Sequence, residues 1–198
     1  LLAFIVWFAT VKEHKAFEKI FYLTLLLYPV AILTHEILVV FLPYLLVAYL
    51  SVTTLTKKKF FLIILLLVPS ICSFLASIYY AEITTSQVEE IFNSIARENY
   101  ALSGGAISYL DKDVSYAKGK VIEALNNKHY KYYVFVAAFS LLAYIPIYGK
   151  LKFITSNKLS LLLILISLIG TVGLFVVAND WGRFIYIHLV SIFLLLLF

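Results

Sequence analysis

The sequence contains no methionine, one cysteine and few charged residues. Only 14% of its 198 residues are charged, whereas 63% are apolar. A soluble domain usually has about 25% charged and about 45–50% apolar residues, and a disordered chain needs low hydrophobicity with high charge. The composition therefore excludes both an ordinary water-soluble globule and a disordered chain. With Cys72 alone, the chain has no disulfide framework and no cysteine-based zinc site.

Several enzyme motifs are also absent. The sequence has no phosphate-binding glycine-rich loop, no GxSxG and no HExxH motif. An ATP-driven machine is therefore excluded unless a partner supplies the nucleotide site. The many aromatic residues fit the belts found at membrane interfaces rather than a nucleobase-stacking platform. We accordingly expect membrane lipids as partners, and no nucleic acid, cofactor or metal.

What the sequence does contain is a series of long apolar runs separated by charged breaks. A membrane-spanning helix needs about 20 mostly apolar residues. The pattern predicts an all-α, polytopic transmembrane helix bundle that forms a single domain. Because both ends lie within apolar runs and position 1 is not methionine, we also expect an internal part of a longer protein. The expected spans are about 1–10, 17–34, 36–52, 60–80, 132–149, 159–178 and 184–198.

The stretch 20–50 has two interpretations. As one helix it would be roughly 46 Å long at about 1.5 Å per residue, too long for a hydrocarbon core of about 30 Å. As two helices, 17–34 and 36–52, each part would be about 27 Å long and the turn would fall at His35-Glu36. We favour this hairpin; a single helix kinked at Pro29 is the alternative.

Lysine-rich loops predict the orientation of the spans, because short loops rich in Lys and Arg favour the cytoplasm. Lys57–Lys59 and the loop 150–158 are separated by two spans, so both fall on the cytoplasmic face of a bacterial inner membrane. The region 81–131 is then extracytoplasmic. It is partly helical, with one helix starting at Thr84–Ser86 and a second, amphipathic helix at about 114–126.

Two details of this outer region follow from the pattern. Glu89-Glu90 should lie in the first turn of the first helix, where acidic residues are favourable. In the second helix, periodicity places five apolar residues on one side. These residues are Val114, Ala117, Val121, Ile122 and Leu125.

His35-Glu36 is the first candidate site, because ionisable groups between apolar runs are costly and often functional. The pair could act as a general base toward a polar substrate at the membrane boundary. Alternatively it forms only a polar turn, with the Glu36 carboxylate near the positive end of the next helix. Two adjacent residues are too few ligands for a metal.

Asp180-Trp181-Gly182-Arg183 is the second candidate. Asp180 and Arg183 are three residues apart and can pair on one face of a helix, and Trp181 suits a membrane interface. In a chain with 16 Lys and Arg residues, Arg183 and Arg97 are the two arginines. A guanidinium fork suits phosphate better than a lysine does, although a turn with an anchor and an ion pair is the alternative.

Two other residues have weaker claims. Arg97 in the outer region could touch a substrate, although a surface pair with Glu98 is the simpler interpretation. His188 lies beyond Arg183 on the last span and is more simply a core histidine. In the hairpin interpretation, both candidate motifs and the region 81–131 converge at the outer face.

The segment from Leu33 through Pro43, with its His-containing break, and the later segment 180–183 resemble membrane proteins of bacterial surface-polysaccharide gene clusters. These are similar to O-antigen polymerases and exopolysaccharide polymerase-like proteins. The resemblance implies transfer or polymerisation of sugar units carried on a polyprenyl diphosphate at the outer face of the membrane. It would make His35 or Glu36 the base and Arg183 the group that grips the diphosphate.

A second class of function is a transporter or flippase for a lipid-linked glycan, in which the same charges line a path and no covalent step occurs. A non-catalytic membrane subunit is a third possibility. The two main classes differ in whether the protein alone lengthens a lipid-linked glycan.

The predicted orientation can be tested by labelling. Single cysteines at Ser103 and Ser156, in a Cys72→Ser background, are exposed to an impermeant thiol reagent in intact cells. Because region 81–131 is expected outside and 150–158 inside, the cysteine at 103 should be labelled and that at 156 protected. Labelling at 156 but not at 103 would reverse the orientation.

Overall fold

The computed structural model describes residues 5, 14–80, 83–98, 110, 112–142, 145, 148–149, 152, 156–178 and 180–196. Over these residues the chain is helical and has no strand, which confirms the all-α prediction for this part. A 3-10 helix covers Glu36–Phe41. The longer α-helices are α1 His14–Thr34, α2 Leu42–Val52, α3 Lys57–Tyr79, α4 Thr85–Arg97, α5 Val114–Asn126, α6 Tyr130–Leu142, α7 Lys158–Val177 and α8 Trp181–Leu195.

Three of the described helices are long and apolar enough to cross a membrane. They are Ala16–Thr34 within α1, the whole of α3 and the whole of α7. Helices α2, α6 and α8 are apolar but have 11, 13 and 15 residues, fewer than the about 20 that a span needs. Helix length therefore supports three of the seven expected spans, and the expected span 1–10 lies outside the described residues except for Ile5.

The chain folds back on itself after α1. Helix α1 ends at Thr34, and His35 has an extended backbone with φ −161° and ψ 103°. The Tyr28 hydroxyl donates to the Leu38 carbonyl at 2.8 Å. The Tyr22 and Tyr49 hydroxyls lie 3.0 Å apart. Earlier residues of α1 thus contact later residues of the segment 36–52. This segment, called the returning arm, therefore runs antiparallel to α1.

The returning arm does not start as the α-helix that the sequence pattern predicts from residue 36. Its first six residues form the 3-10 helix, and the Leu42 N–H donates to the Val39 carbonyl three residues back. Pro43 follows in the first turn of α2. Proline has no N–H, so it cannot make the α-helical bond to the Val39 carbonyl, and the tighter 3-10 bond takes its place.

Helices α1 and α3 start at the same end of the molecule. Glu18 and Lys59, each near the start of its helix, form an ion pair. Beside them the rings of Phe21 and Tyr49 lie 4.4 Å apart, and both side chains are buried. These rings belong to the main apolar core, which α1, the 3-10 helix, α2 and α3 share with parts of α7 and α8.

Helix α7 packs closely against the returning arm. A Cβ atom added to Gly170 would lie 2.9 Å from Val40 Cγ1, and Ser167 Oγ donates to the Val40 carbonyl at 2.6 Å. Buried Ile164 on α7 belongs to the main apolar core. Because α1 and α3 begin at one end of the molecule and α1 ends at Thr34, His35 lies at the opposite end.

The region 81–131 differs in detail from its prediction. Thr84 and Gln87 form a reciprocal capping box at the start of α4. The first turn contains no acidic residue, so the placement of Glu89-Glu90 there is wrong, because the helix begins at Thr85 and those two residues fall in its second turn.

Helix α5 is capped by an aspartate. The Tyr116 N–H and then the Ser115 hydroxyl hydrogen bond to the Asp113 carboxylate and hold its pKa below the usual value. This capping contribution is present above the ordinary pKa of aspartate and is lost as the pH falls through the lowered pKa. Val121 is buried, as its predicted face requires, but Ile122 and Leu125 are exposed, because only a narrow stripe of α5 faces its neighbours.

Gly170 provides a test of the packing against α7. Gly170→Ala should destabilise the protein by about 1–3 kcal/mol, as overpacking of a tight contact does. Gly173→Ala is the matched control on the same helix, because a Cβ there meets nothing within 4 Å. Thermal unfolding in detergent measures both, and Val40→Ala should rescue Gly170→Ala; equal melting temperatures for the two glycine variants would contradict the close approach.

Candidate functional site

Asp180 and Arg183 form the predicted ion pair at the start of α8. Arg183 Nε lies 2.9 Å from Asp180 Oδ2, and the two side chains are 62% and 44% exposed. This contact uses one edge of the guanidinium. In the described part of the chain, the terminal amino groups of Arg183 have no ion-pair partner, so they are free to bind an anion from solvent.

The start of α8 adds to this positive character. Asp180 precedes the helix, but its side chain makes no capping hydrogen bond to the first turn, because the carboxylate is held by Arg183. The first N–H groups of an α-helix lack partners within the helix, and the N-terminal end carries a partial positive charge. A guanidinium beside such an end is a site suited to a phosphate or carboxylate.

Trp181 and Gly182 fix this end of α8 against its neighbours. Trp181 is buried, and its Nε1 donates to the Phe175 carbonyl at 3.0 Å. Its ring centroid lies 5.6 Å from that of Tyr133. A Cβ on Gly182 would approach Tyr133 Cε1 to 3.1 Å. Trp181 is therefore a packing residue between helices α6, α7 and α8.

An apolar groove adjoins this end of α8. It has a volume of about 730 Å³ and is lined by α5, α6, α7 and α8, with Trp181 and Ile185 contributed by α8. Lys118 on α5 is the one charged residue among its described lining residues. The volume falls within the about 300–1,000 Å³ that is usual for small-molecule sites, so the groove is large enough to hold part of a ligand.

His35 and Glu36 lie at the fold-back, with His35 Nδ1 3.8 Å from Glu36 Oε2. This distance is too long for a hydrogen bond. Their side chains are 45% and 52% exposed, so both are accessible to a substrate. In the described residues, no hydrogen bond or ion pair joins either of them to Asp180 or Arg183.

Arg97 lies at the end of α4 in the outer segment. Its Nε donates to the Asn93 carbonyl of the same helix at 3.2 Å, and the residue is exposed. The structure thus brings Asp180 and Arg183 together, while no described polar contact brings Arg97 or the His35–Glu36 pair to them.

The structure also shows a buried polar cluster that sequence analysis missed. His188 is buried, with Nδ1 2.5 Å from the Tyr44 hydroxyl and Nε2 hydrogen-bonded to Thr171 Oγ1. Thr171 Oγ1 also donates to the Ser167 carbonyl at 3.1 Å. With a neutral imidazole, all three bonds form together only if His188 Nε2–H donates to Thr171 and the Tyr44 hydroxyl donates to Nδ1. The one available signal was the spacing of Ser167 and Thr171, one turn apart in an otherwise apolar helix.

No known protein family, curated protein or solved structure matches this chain. Among the described residues, no group of three or more His, Cys, Asp or Glu side chains is placed to hold a metal ion. A function can therefore be inferred only from the side chains at the start of α8, at the fold-back and in the apolar groove.

The His188 cluster can be tested with a double-mutant cycle. Tyr44→Phe and His188→Leu should each destabilise the protein, and the pair should show a coupling of about 0.5–1.5 kcal/mol, because each removes the same hydrogen bond. Tyr44→Phe with Thr53→Val is the control, since the Thr53 hydroxyl donates only to the Tyr49 carbonyl within its own segment. Additive effects in the His188 cycle, measured by thermal unfolding, would show that the bond contributes nothing.

Proposed function

We propose that this protein is a multi-pass inner-membrane protein of bacterial surface-polysaccharide biosynthesis. It transfers or polymerises sugar units carried on a polyprenyl diphosphate at the outer face of the membrane. The observation that carries this proposal is the Arg183–Asp180 pair, exposed at the uncapped start of an apolar helix. The same helix contributes Trp181 and Ile185 to an apolar groove.

Arg183 recognises the diphosphate in this proposal. A guanidinium binds two phosphate oxygens at once through parallel N–H donors. Asp180 holds Nε, which leaves the terminal amino groups for the ligand. During transfer, an acceptor hydroxyl attacks the anomeric carbon and the bond from that carbon to the diphosphate oxygen breaks. The departing diphosphate gains negative charge, which Arg183 and the helix start stabilise.

His35 or Glu36 takes the proton of the attacking hydroxyl in this proposal. Both side chains are exposed, as a group that meets a substrate from outside must be. The proposal requires that they face the same end of the helices as the start of α8, which is the convergence of both motifs at the outer face expected from the sequence. A bound substrate several sugars long can reach both places, and Arg97 in the outer segment is a further candidate contact for it.

A transporter or flippase for a lipid-linked glycan is the alternative function. The observation that favours it is the cluster of Tyr44, Thr171 and His188, because polar groups buried among apolar helices often mark a transport path. The two functions are distinguished by whether the purified full-length protein lengthens a lipid-linked glycan without an energy source or partner. Lengthening supports the enzyme; movement of the glycan across a vesicle membrane without lengthening supports the transporter.

Arg183→Lys tests the role of the guanidinium. Loss of one charge-assisted hydrogen bond costs about 1.5–3 kcal/mol, so glycan transfer should fall by roughly ten- to a hundredfold at about 1.4 kcal/mol per factor of ten. The protein should still insert and accumulate, because lysine keeps the positive charge beside Asp180. Glycan length and protein level in cells are the measurements.

Asp180→Asn is the companion variant. If Asp180 only holds Arg183, this change should reduce the amount of folded protein more than the activity per molecule. Glycans of full length in cells with Arg183→Lys, at a normal protein level, would remove the role of Arg183 in binding phosphate.

A further inference from the structure

The apolar groove between α5 and α8 has a lining that specifies its ligand. Four aromatic side chains line it together with small and branched apolar residues. These aromatic residues are Tyr130, Tyr133, Phe175 and Trp181. A hydrocarbon chain is the ligand that such a surface recognises, because nearly the whole lining offers contact without hydrogen bonds.

The charge beside the groove specifies the other end of the ligand. Lys118 lines the groove and is exposed. In the described part of the chain it has no ion-pair partner, whereas nearby Lys120 is held by Glu123 at 2.7 Å. Trp181 and Ile185, which line the groove, lie one turn apart at the start of α8, where the helix end carries a partial positive charge. A ligand with an apolar chain and an anionic head matches this arrangement.

We propose that this groove binds the isoprenoid chain of a polyprenyl phosphate, with Lys118 contacting its phosphate end. The inference rests on the proposed function, which supplies the choice of an isoprenoid over an acyl chain. The flat double bonds of isoprene units pack well against aromatic rings, and the anionic head meets Lys118 while Arg183 remains close to the bond that breaks. Lys118 thus becomes a binding residue that no sequence motif indicated.

Tryptophan fluorescence provides the test. The chain has two tryptophans, Trp7 and Trp181, so this 198-residue chain with Trp7→Phe reports from the groove alone. It is placed in phosphatidylcholine nanodiscs, and a polyprenyl phosphate that carries vinylic bromine substituents, and so keeps its double bonds, is added at low mole fraction. Saturable quenching of Trp181 is the expected result. No quenching, or quenching that rises linearly without saturation, would overturn the proposal.

Matched variants separate the groove from general contact with lipid. Ala137 lines the groove, whereas its neighbour Ala138 is exposed and does not. Ala137→Phe should weaken binding about tenfold or more, a change of about 1.4 kcal/mol, and Ala138→Phe should leave it unchanged. Equal affinities for the two variants would overturn the proposal. Comparable thermal unfolding of the two confirms that both are folded before they are compared.

Ligand variants test the head and the chain. Lys118→Gln should weaken binding of the phosphate about fivefold, as expected for about 1 kcal/mol per lysine at an anionic surface, with Lys120→Gln as the control. Brominated polyprenol, which has no charge, should bind more weakly than the phosphate and be insensitive to Lys118→Gln. Equal saturable quenching by brominated phosphatidylglycerol would show a general anionic-lipid site and overturn the isoprenoid assignment.

This measurement involves no sugar transfer, so its outcome is separate from that of the proposed function. If polyprenyl phosphate binds the groove but Arg183→Lys leaves glycans at full length, the groove assignment stands and the role of Arg183 fails. If Arg183→Lys abolishes transfer while Ala137→Phe and Ala138→Phe bind polyprenyl phosphate equally, the role of Arg183 stands and the groove assignment fails.

Discussion

The close contact between the 3-10 helix and α7 is the constraint on which the rest of the described structure depends. The chain must turn back after Thr34, and Pro43 lacks the N–H that a regular helix would use. In a 3-10 helix, the N–H of residue 43 would donate to the Val40 carbonyl. Because Pro43 has no N–H, the Ser167 hydroxyl donates to this carbonyl instead. The glycine at 170 permits the approach, because any Cβ there would meet Val40. One irregular turn is thereby joined to a regular helix 127 residues later.

The same contact positions the polar groups of the candidate site. With the returning arm held against α7, Tyr44 reaches His188 on α8 and Thr171 completes the hydrogen bonds of the ring. Helix α8 is thus fixed at its middle by this cluster and at its start by Trp181 against Phe175 and α6. Arg183 is left at the exposed end of a helix held at two points, which is the preorganisation that recognition of a phosphate requires.

Much of the local structure could be predicted from the sequence. Apolar runs of sufficient length predicted α1, α3 and α7, because twenty apolar residues in a row have few alternatives to a helix. The spacing of Asp180 and Arg183 predicted their ion pair, since residues three apart on a helix are neighbours. The position of Glu89-Glu90 was wrong, because capping by Thr84 and Gln87 moves the helix start, and single-residue shifts at a helix end are hard to infer.

Contacts between distant segments could not be predicted. The simplest prediction for His188 was a core histidine. Nothing near it in the sequence indicates that its partner is Tyr44, 144 residues away. Trp181 was expected at an interface, since its amphipathic ring favours one, and only the packing of α6 and α7 around it shows that it is buried. The apolar groove could not be predicted either, because four helices from different parts of the chain form its walls. The same reason kept the proposed role of Lys118 from being predicted.

The sequence by itself therefore determined that this is an apolar, helical chain whose charges lie between the apolar runs and in the polar region 81–131. It did so through composition and periodicity, which are local properties. The tertiary structure alone decided which helix ends lie together, which polar groups are satisfied among the packed helices, and where an apolar groove forms. These depend on how helices pack, and packing is set by the fit of side chains that the linear order of residues does not bring together.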